Sequence, residues 1–119
     1  MLDKVLKVGM LFDFYGALLT EKQQRCLEMH YSHDLSLSEI AEEFGVSRQA
    51  VHDILKRSEQ ILIEYETKLK LVERYQREQL NIKQAFELVN NLSADIRNIP
   101  EIQSVLTKLA DLIVESEEV

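Results

Sequence analysis

The 119-residue chain has one cysteine, one proline and three glycines. A lone cysteine, Cys26, closes no internal disulfide, and a chain without disulfides suits a reducing, cytoplasmic setting. So few turn residues exclude the many tight hairpins of a β sandwich and leave long helices with few connections. No apolar run approaches the roughly 20 residues that span a bilayer, so membrane insertion is not expected. Asp3, Lys4 and Lys7 interrupt the first apolar stretch, and no small-residue cleavage pattern follows it, so an export signal is not expected either. Hydrophobic residues at 45% and charged residues at 29% exclude disorder over most of the chain.

The formal charge is −7, unevenly spread. Residues 1–46 carry −4, residues 47–77 carry +2 and residues 78–119 carry −5. One positive island lies between two acidic flanks. A polyanion contact therefore falls on residues 47–77, with weak long-range attraction that salt abolishes.

Apolar spacing predicts the helices. Leu2, Val5, Leu6, Met10, Leu11, Phe14 and Leu18 form one stripe at steps of three and four. Gly9 and Gly16 weaken that helix unless they admit a close neighbour. Thr20 with Gln23, and Ser36 with Glu39, each read as a capping box, in which a hydroxyl meets the third helical amide and a side chain reaches back. The first box opens a helix to about Tyr31; the second opens one over 37–44. Gly45 follows where a left-handed backbone ends a helix, and Ser47 is a third N-cap. From there Val51, Ile54, Leu55, Leu62, Tyr65, Leu69 and Val72 continue a stripe that runs on through Tyr75, Ile82, Phe86 and Val89. The polar run from Arg74 to Gln79 marks a bend within 74–80. Residues 90–99 read as a connection, Pro100 as the first turn of a last helix, and residues 115–118 as a loose tail.

The informative stretch is residues 37–54. A short helix, a glycine corner and a second helix must meet steeply, and each requirement is met at its offset: Ala41 at the contact, Gly45 at the corner, and Ile40, Val46, Val51 and Ile54 as the lock. This is a helix-turn-helix pattern. Its second helix exposes Ser47, Arg48, Gln49, His52, Lys56 and Arg57, the nucleic-acid-binding candidates. In a major groove Arg48 suits guanine and Gln49 suits adenine, both bidentate. Ser47 and the helix start suit a phosphate. Lys56 and Arg57 suit backbone contacts, and Asp53 is a discordant charge beside them. The bland alternative is a tight helical corner whose polar residues are merely solvated.

Residues 18–63 resemble region 4 of bacterial sigma-70 factors, and nearly the whole chain, from Leu11-Phe-Asp-Phe-Tyr-Gly-Ala-Leu-Leu-Thr20 through the turn unit and its following helix, resembles the YlxM family. These are small helical bacterial proteins encoded beside the signal recognition particle genes. The resemblance implies a regulatory or accessory role in that targeting pathway, with components of the particle as partners. It also implies that Ser47, Arg48, Gln49, His52 and Lys56 face a groove. The acidic flanks, and the lack of a second promoter-reading domain, depart from a sigma factor.

Cys26, His30 and His33 have ligand-like spacing, but a zinc site needs a fourth ligand and there is no second cysteine, so no metal and no cofactor is expected. No phosphate loop, nucleotide fingerprint or nucleophile elbow is present, so the chain is not expected to be an enzyme. The long stripe from Ile54 to Val89 exceeds what residues 1–46 can cover, which favours a two-fold homodimer over a monomeric bundle. The expectation is an all-α protein. Residues 1–60 form a helix-turn-helix domain, and residues 61–119 form a long helix continuation and a C-terminal helical dimerisation segment. It acts as a non-enzymatic regulatory or accessory protein that binds DNA, RNA or protein. The alternatives are a dimeric DNA-binding transcription regulator and a protein-interaction adaptor that binds no nucleic acid.

Overall fold

A computed structural model describes residues 2–114; the expected loose tail at 115–118 lies outside them. Among the described residues the regular structure is helical throughout. Helix α1 spans Leu2–Tyr15 and passes through a 3-10 turn, Gly16–Leu18. Helix α2, Glu21–Leu27, opens on the Thr20/Gln23 capping box. Helix α3, Leu37–Phe44, opens on the Ser36/Glu39 box and ends at Gly45 with φ 68°. Helices α4 (Arg48–Leu69), α5 (Leu71–Asn90), α6 (Ala94–Arg97) and α7 (Pro100–Leu112) complete the chain. It divides into two compact units, Met1–Val72 and Glu73–Val119.

The first unit has a dense core. Val8, Leu11, Tyr15 and Leu19 meet Cys26 and Leu27 of α2, Ile40 and Ala41 of α3, and Val51, Leu55 and Leu62 of α4. This corrects the expected α1 face: Val5, Leu6 and Leu18 are exposed, and the buried stripe is 8, 11, 15, 19. Tyr15 takes a core position because its hydroxyl is satisfied there, at 2.6 Å from a Glu66 carboxylate oxygen and 3.1 Å from the Leu71 amide. Its ring stacks on Tyr65 with centroids 5.8 Å apart. Ser58 is also fully buried, donating to the Ile54 carbonyl at 2.7 Å. The close approach expected of the α1 glycines occurs at one of them. A Cβ on Gly16 would stand 2.9 Å from the Phe12 ring, whereas one on Gly9 meets nothing.

One helix differs from expectation in its winding and another in where it breaks. After Leu27 the helix widens into a π turn, Glu28–Ser32. Leu35 N–H closes it onto the Met29 carbonyl at 2.9 Å, and Asp34 takes φ 56°. The Tyr31 hydroxyl donates to Glu59 at 2.5 Å, and Lys4 reaches the same carboxylate at 3.5 Å. The long stripe breaks at Lys70 (φ 55°) and not within 74–80. Residues 74–80 are helical, with Arg74–Glu78 and Arg77–Glu73 paired one turn apart at 3.9 and 3.2 Å, so the polar run is a solvated face. The break sits at Lys70 because the first amides of α5 are met from elsewhere: Leu71 N–H by Tyr15, and Val72 N–H by Glu66 at 3.1 Å.

The second unit is thinly packed. The Gln79 carboxamide of α5 donates to the Leu112 carbonyl and accepts from the Val114 amide, at 3.0 and 2.9 Å, tying α5 to the end of α7. Arg97 donates to the carbonyls of Asn90 and Leu92, so the expected connection 90–99 holds a short helix. Within this unit Leu106 is buried, but Leu80, Leu88, Val105, Leu112 and Val114 are exposed, Leu88 at 73%.

Candidate nucleic-acid interface

The turn unit is built as its residues dictate. Ile40 and Val51 are fully buried between α3 and α4, Ala41 is buried beside them, and Val46 and Ile54 pack at the edge. Gly45 donates back to Glu42, and Val46 to Ala41 at 3.1 Å, which closes the end of α3. A left-handed residue at this corner favours glycine because a Cβ would crowd the following carbonyl. Ser47, extended at φ −77° and ψ 159°, accepts from Ala50 N–H at 3.0 Å and starts α4.

All six expected contact residues, Ser47, Arg48, Gln49, His52, Lys56 and Arg57, are exposed. Gln49, His52, Lys56 and Arg57 lie on the side of α4 away from buried Val51, Leu55 and Ser58, whereas Ser47 and Arg48 stand at its exposed start. Ser47 keeps its O–H as a donor while its oxygen caps the helix. Among the described residues Arg48, Lys56 and Arg57 form no ion pair. Gln49 does have a partner: its carboxamide donates to the Asp53 carboxylate at 3.0 Å. The same carboxylate lies 3.7 Å from His52 Nδ1. Exposed Glu42 and Glu43 of α3 carry the acidic flank close to the turn in sequence.

Two further cations, Lys22 and Arg25, stand outside the expected set. The Arg25 guanidinium sits 5.0 Å over the Phe44 ring, at the end of α3, and both cations line a shallow depression with Glu21 and Phe44. An i, i+3 pair of cations on α2 was the available signal, but only packing shows that it meets the turn.

Cys26, His30 and His33 do not converge. Cys26 is in the core, its thiol pushed up by burial. The His30 ring is 3.1 Å from the Leu35 carbonyl, and His33 is exposed. Among the described residues no group of three His, Cys, Asp or Glu side chains is placed to hold a metal ion. No helix among them is long and apolar enough to cross a membrane.

A glycine-cornered α3–α4 pair with a capped and exposed second helix defines a helix-turn-helix protein. The chain belongs to the UPF0122 family, described as helix-turn-helix, YlxM / p13 like, whose model matches residues 2–109. It is 51% identical to the UPF0122 protein BH2485 of Halalkalibacterium halodurans over 90 residues, 76% of this chain and 83% of that one. It is 50% identical to the UPF0122 protein of Desulforamulus reducens over 84 residues, 71% of this chain and 72% of that one. The UPF0122 protein of Bacillus thuringiensis is 42% identical over 109 residues, 92% of this chain and 99% of that one.

Proposed function

We propose that this is a non-enzymatic, cytoplasmic regulatory or accessory protein that binds nucleic acid through α4 and serves the signal recognition particle pathway. The observation that carries the binding reading is the joint exposure of Arg48, Gln49, His52, Lys56 and Arg57 on a helix whose start is fixed by Ser47 and Gly45. On a prong whose backbone is already fixed, cations without a partner meet a polyanion with no ion pair to break first. The pathway assignment rests on the resemblance to the YlxM family.

In this reading residues 1–60 bind and residues 61–119 assemble the protein into a homodimer. The exposed Leu80, Leu88, Val105 and Leu112 favour that assembly, because among the described residues of this unit Leu106 is the one buried leucine, a poor core for three helices. The dimer carries two prongs, as a two-fold site or a symmetric partner requires. A dimeric transcription regulator is the second reading, favoured by Arg48 and Gln49 standing side by side at the start of α4.

The test combines light scattering with band shifts on duplex DNA and on the particle's RNA, over a salt series. The expected result is a dimer mass and an affinity that falls steeply with salt and is lost in Arg48→Ala and Gln49→Ala. Binding to the particle's RNA or GTPases without duplex binding selects the accessory role over the transcription regulator. Binding to neither polymer, with the dimer intact, removes the nucleic-acid reading and leaves a protein adaptor.

A further inference from the structure

We propose that Asp53 is a specificity residue: it fixes the Gln49 carboxamide and reads a cytosine amino group within about two base-pair steps of the base that Gln49 reads. This deepens the nucleic-acid reading above and rests on it.

Between Arg48 and Gln60 the exposed residues of α4 are Arg48, Gln49, His52, Asp53, Lys56, Arg57 and Gln60. Asp53 is the one carboxylate among them, set within a cationic face, with its side chain 70% exposed. Next to phosphates a carboxylate is repelled, so as a solvated surface group it opposes binding. Directed at base edges, the same group is an acceptor without a proton, matched to the cytosine N4 amino group in the major groove.

Gln49 and Asp53 are one turn apart on the same face, and Gln49 Nε2 donates to Asp53 Oδ1 at 3.0 Å. The bond uses one of the two amide hydrogens and settles which end of the carboxamide is oxygen. The second hydrogen and the oxygen remain for the N7 and N6 positions of adenine. The carboxylate's other lone pairs remain for a second base. One helical turn advances about 5.4 Å, against 3.4 Å per base pair along the duplex, so the two readers address neighbouring base pairs. A helix enters the wide major groove of B-form DNA and is excluded from the deep, narrow one of A-form RNA, so duplex DNA is the target this pair fits.

Selection from randomised duplex DNA, with the full-length protein and its Asp53→Asn, Asp53→Ala and Lys56→Ala variants, tests this. The wild type is expected to enrich sites with a cytosine preferred about tenfold close to a preferred adenine. Asp53→Asn keeps an acceptor for Gln49 but offers an amide, so it changes the base at the cytosine position and leaves the adenine. Asp53→Ala flattens the first preference, weakens the second and, at low salt, raises affinity for sites that lack the cytosine, because a repulsive charge has gone. Lys56→Ala lowers every affinity and moves no preference. Wild-type binding with base preferences unmoved in both Asp53 variants overturns the inference and leaves the binding reading standing. Binding to the particle's RNA without duplex binding overturns the inference and leaves the accessory reading standing; binding to neither polymer overturns both.

Discussion

Tyr15→Phe removes one hydroxyl from a ring that stays packed against Tyr65. That hydroxyl does two things: it donates to Glu66 at 2.6 Å and accepts from the Leu71 amide at 3.1 Å, while Glu66 accepts from Val72 at 3.1 Å. The tyrosine is 1% exposed and the half-buried Glu66 is its charged acceptor, and a hydrogen bond to a charged group contributes about 1.5–3 kcal/mol. Leu71 is 37% exposed, so water recovers part of the loss at its amide. The expected cost is about 2 kcal/mol, read as a fall of about 10 °C in the thermal midpoint for a domain of this size. Glu66→Gln leaves an acceptor for Val72 and loses the charge, so it costs about half as much. Urea unfolding of Tyr15→Phe, Glu66→Ala and the double variant gives their coupling, expected at about 1 kcal/mol or more. A single-variant cost below about 0.5 kcal/mol, or simple additivity, would show that this cluster does not hold the break at Lys70.

Gly45→Ala is expected to cost about 1–2 kcal/mol through backbone strain alone, because φ is 68° and the added Cβ meets nothing. Gly45→Asn, which tolerates that conformation better, should recover much of the loss in the same unfolding assay; equal losses in the two would refute the strain argument. Stability should also fall in alkali. Burial, reinforced by the Glu59 carboxylate, raises the Tyr31 phenol above its ordinary 10.0, and burial with Glu66 does the same to Tyr15. Each phenol is harder to ionise folded than unfolded, so its contribution is whole below about pH 10 and is lost as pH climbs through the folded value. Urea midpoints for the wild type and Tyr31→Phe from about pH 8 upward are expected to converge; parallel pH profiles would contradict the assignment.

Local chemistry alone was enough for much of this molecule. Both capping boxes, the extent of α3, the Gly45 corner and the Ser47 cap involve residues at most a few positions apart, so their hydrogen bonds are determined by side chains that the sequence spells out in order. The exposure of Arg48, Gln49, His52, Lys56 and Arg57 follows too, since one helix start and one buried face determine the opposite face. Interactions across 51 to 56 residues were not legible. Periodicity sees only spacing, so it set the α1 stripe on Leu6 and Leu18, which are exposed, and passed over Tyr15, whose polar end needs Glu66 to be buried. It carried the stripe past Lys70 because no glycine or proline stands there. Lysine is a poor left-handed residue, and the break forms where Tyr15 and Glu66 satisfy the amides that a continuous helix would have bonded to itself. The bond between Gln49 and Asp53 lies between these cases: its one-turn spacing is written in the sequence, but the rotamers that join the two side chains are decided in the folded chain.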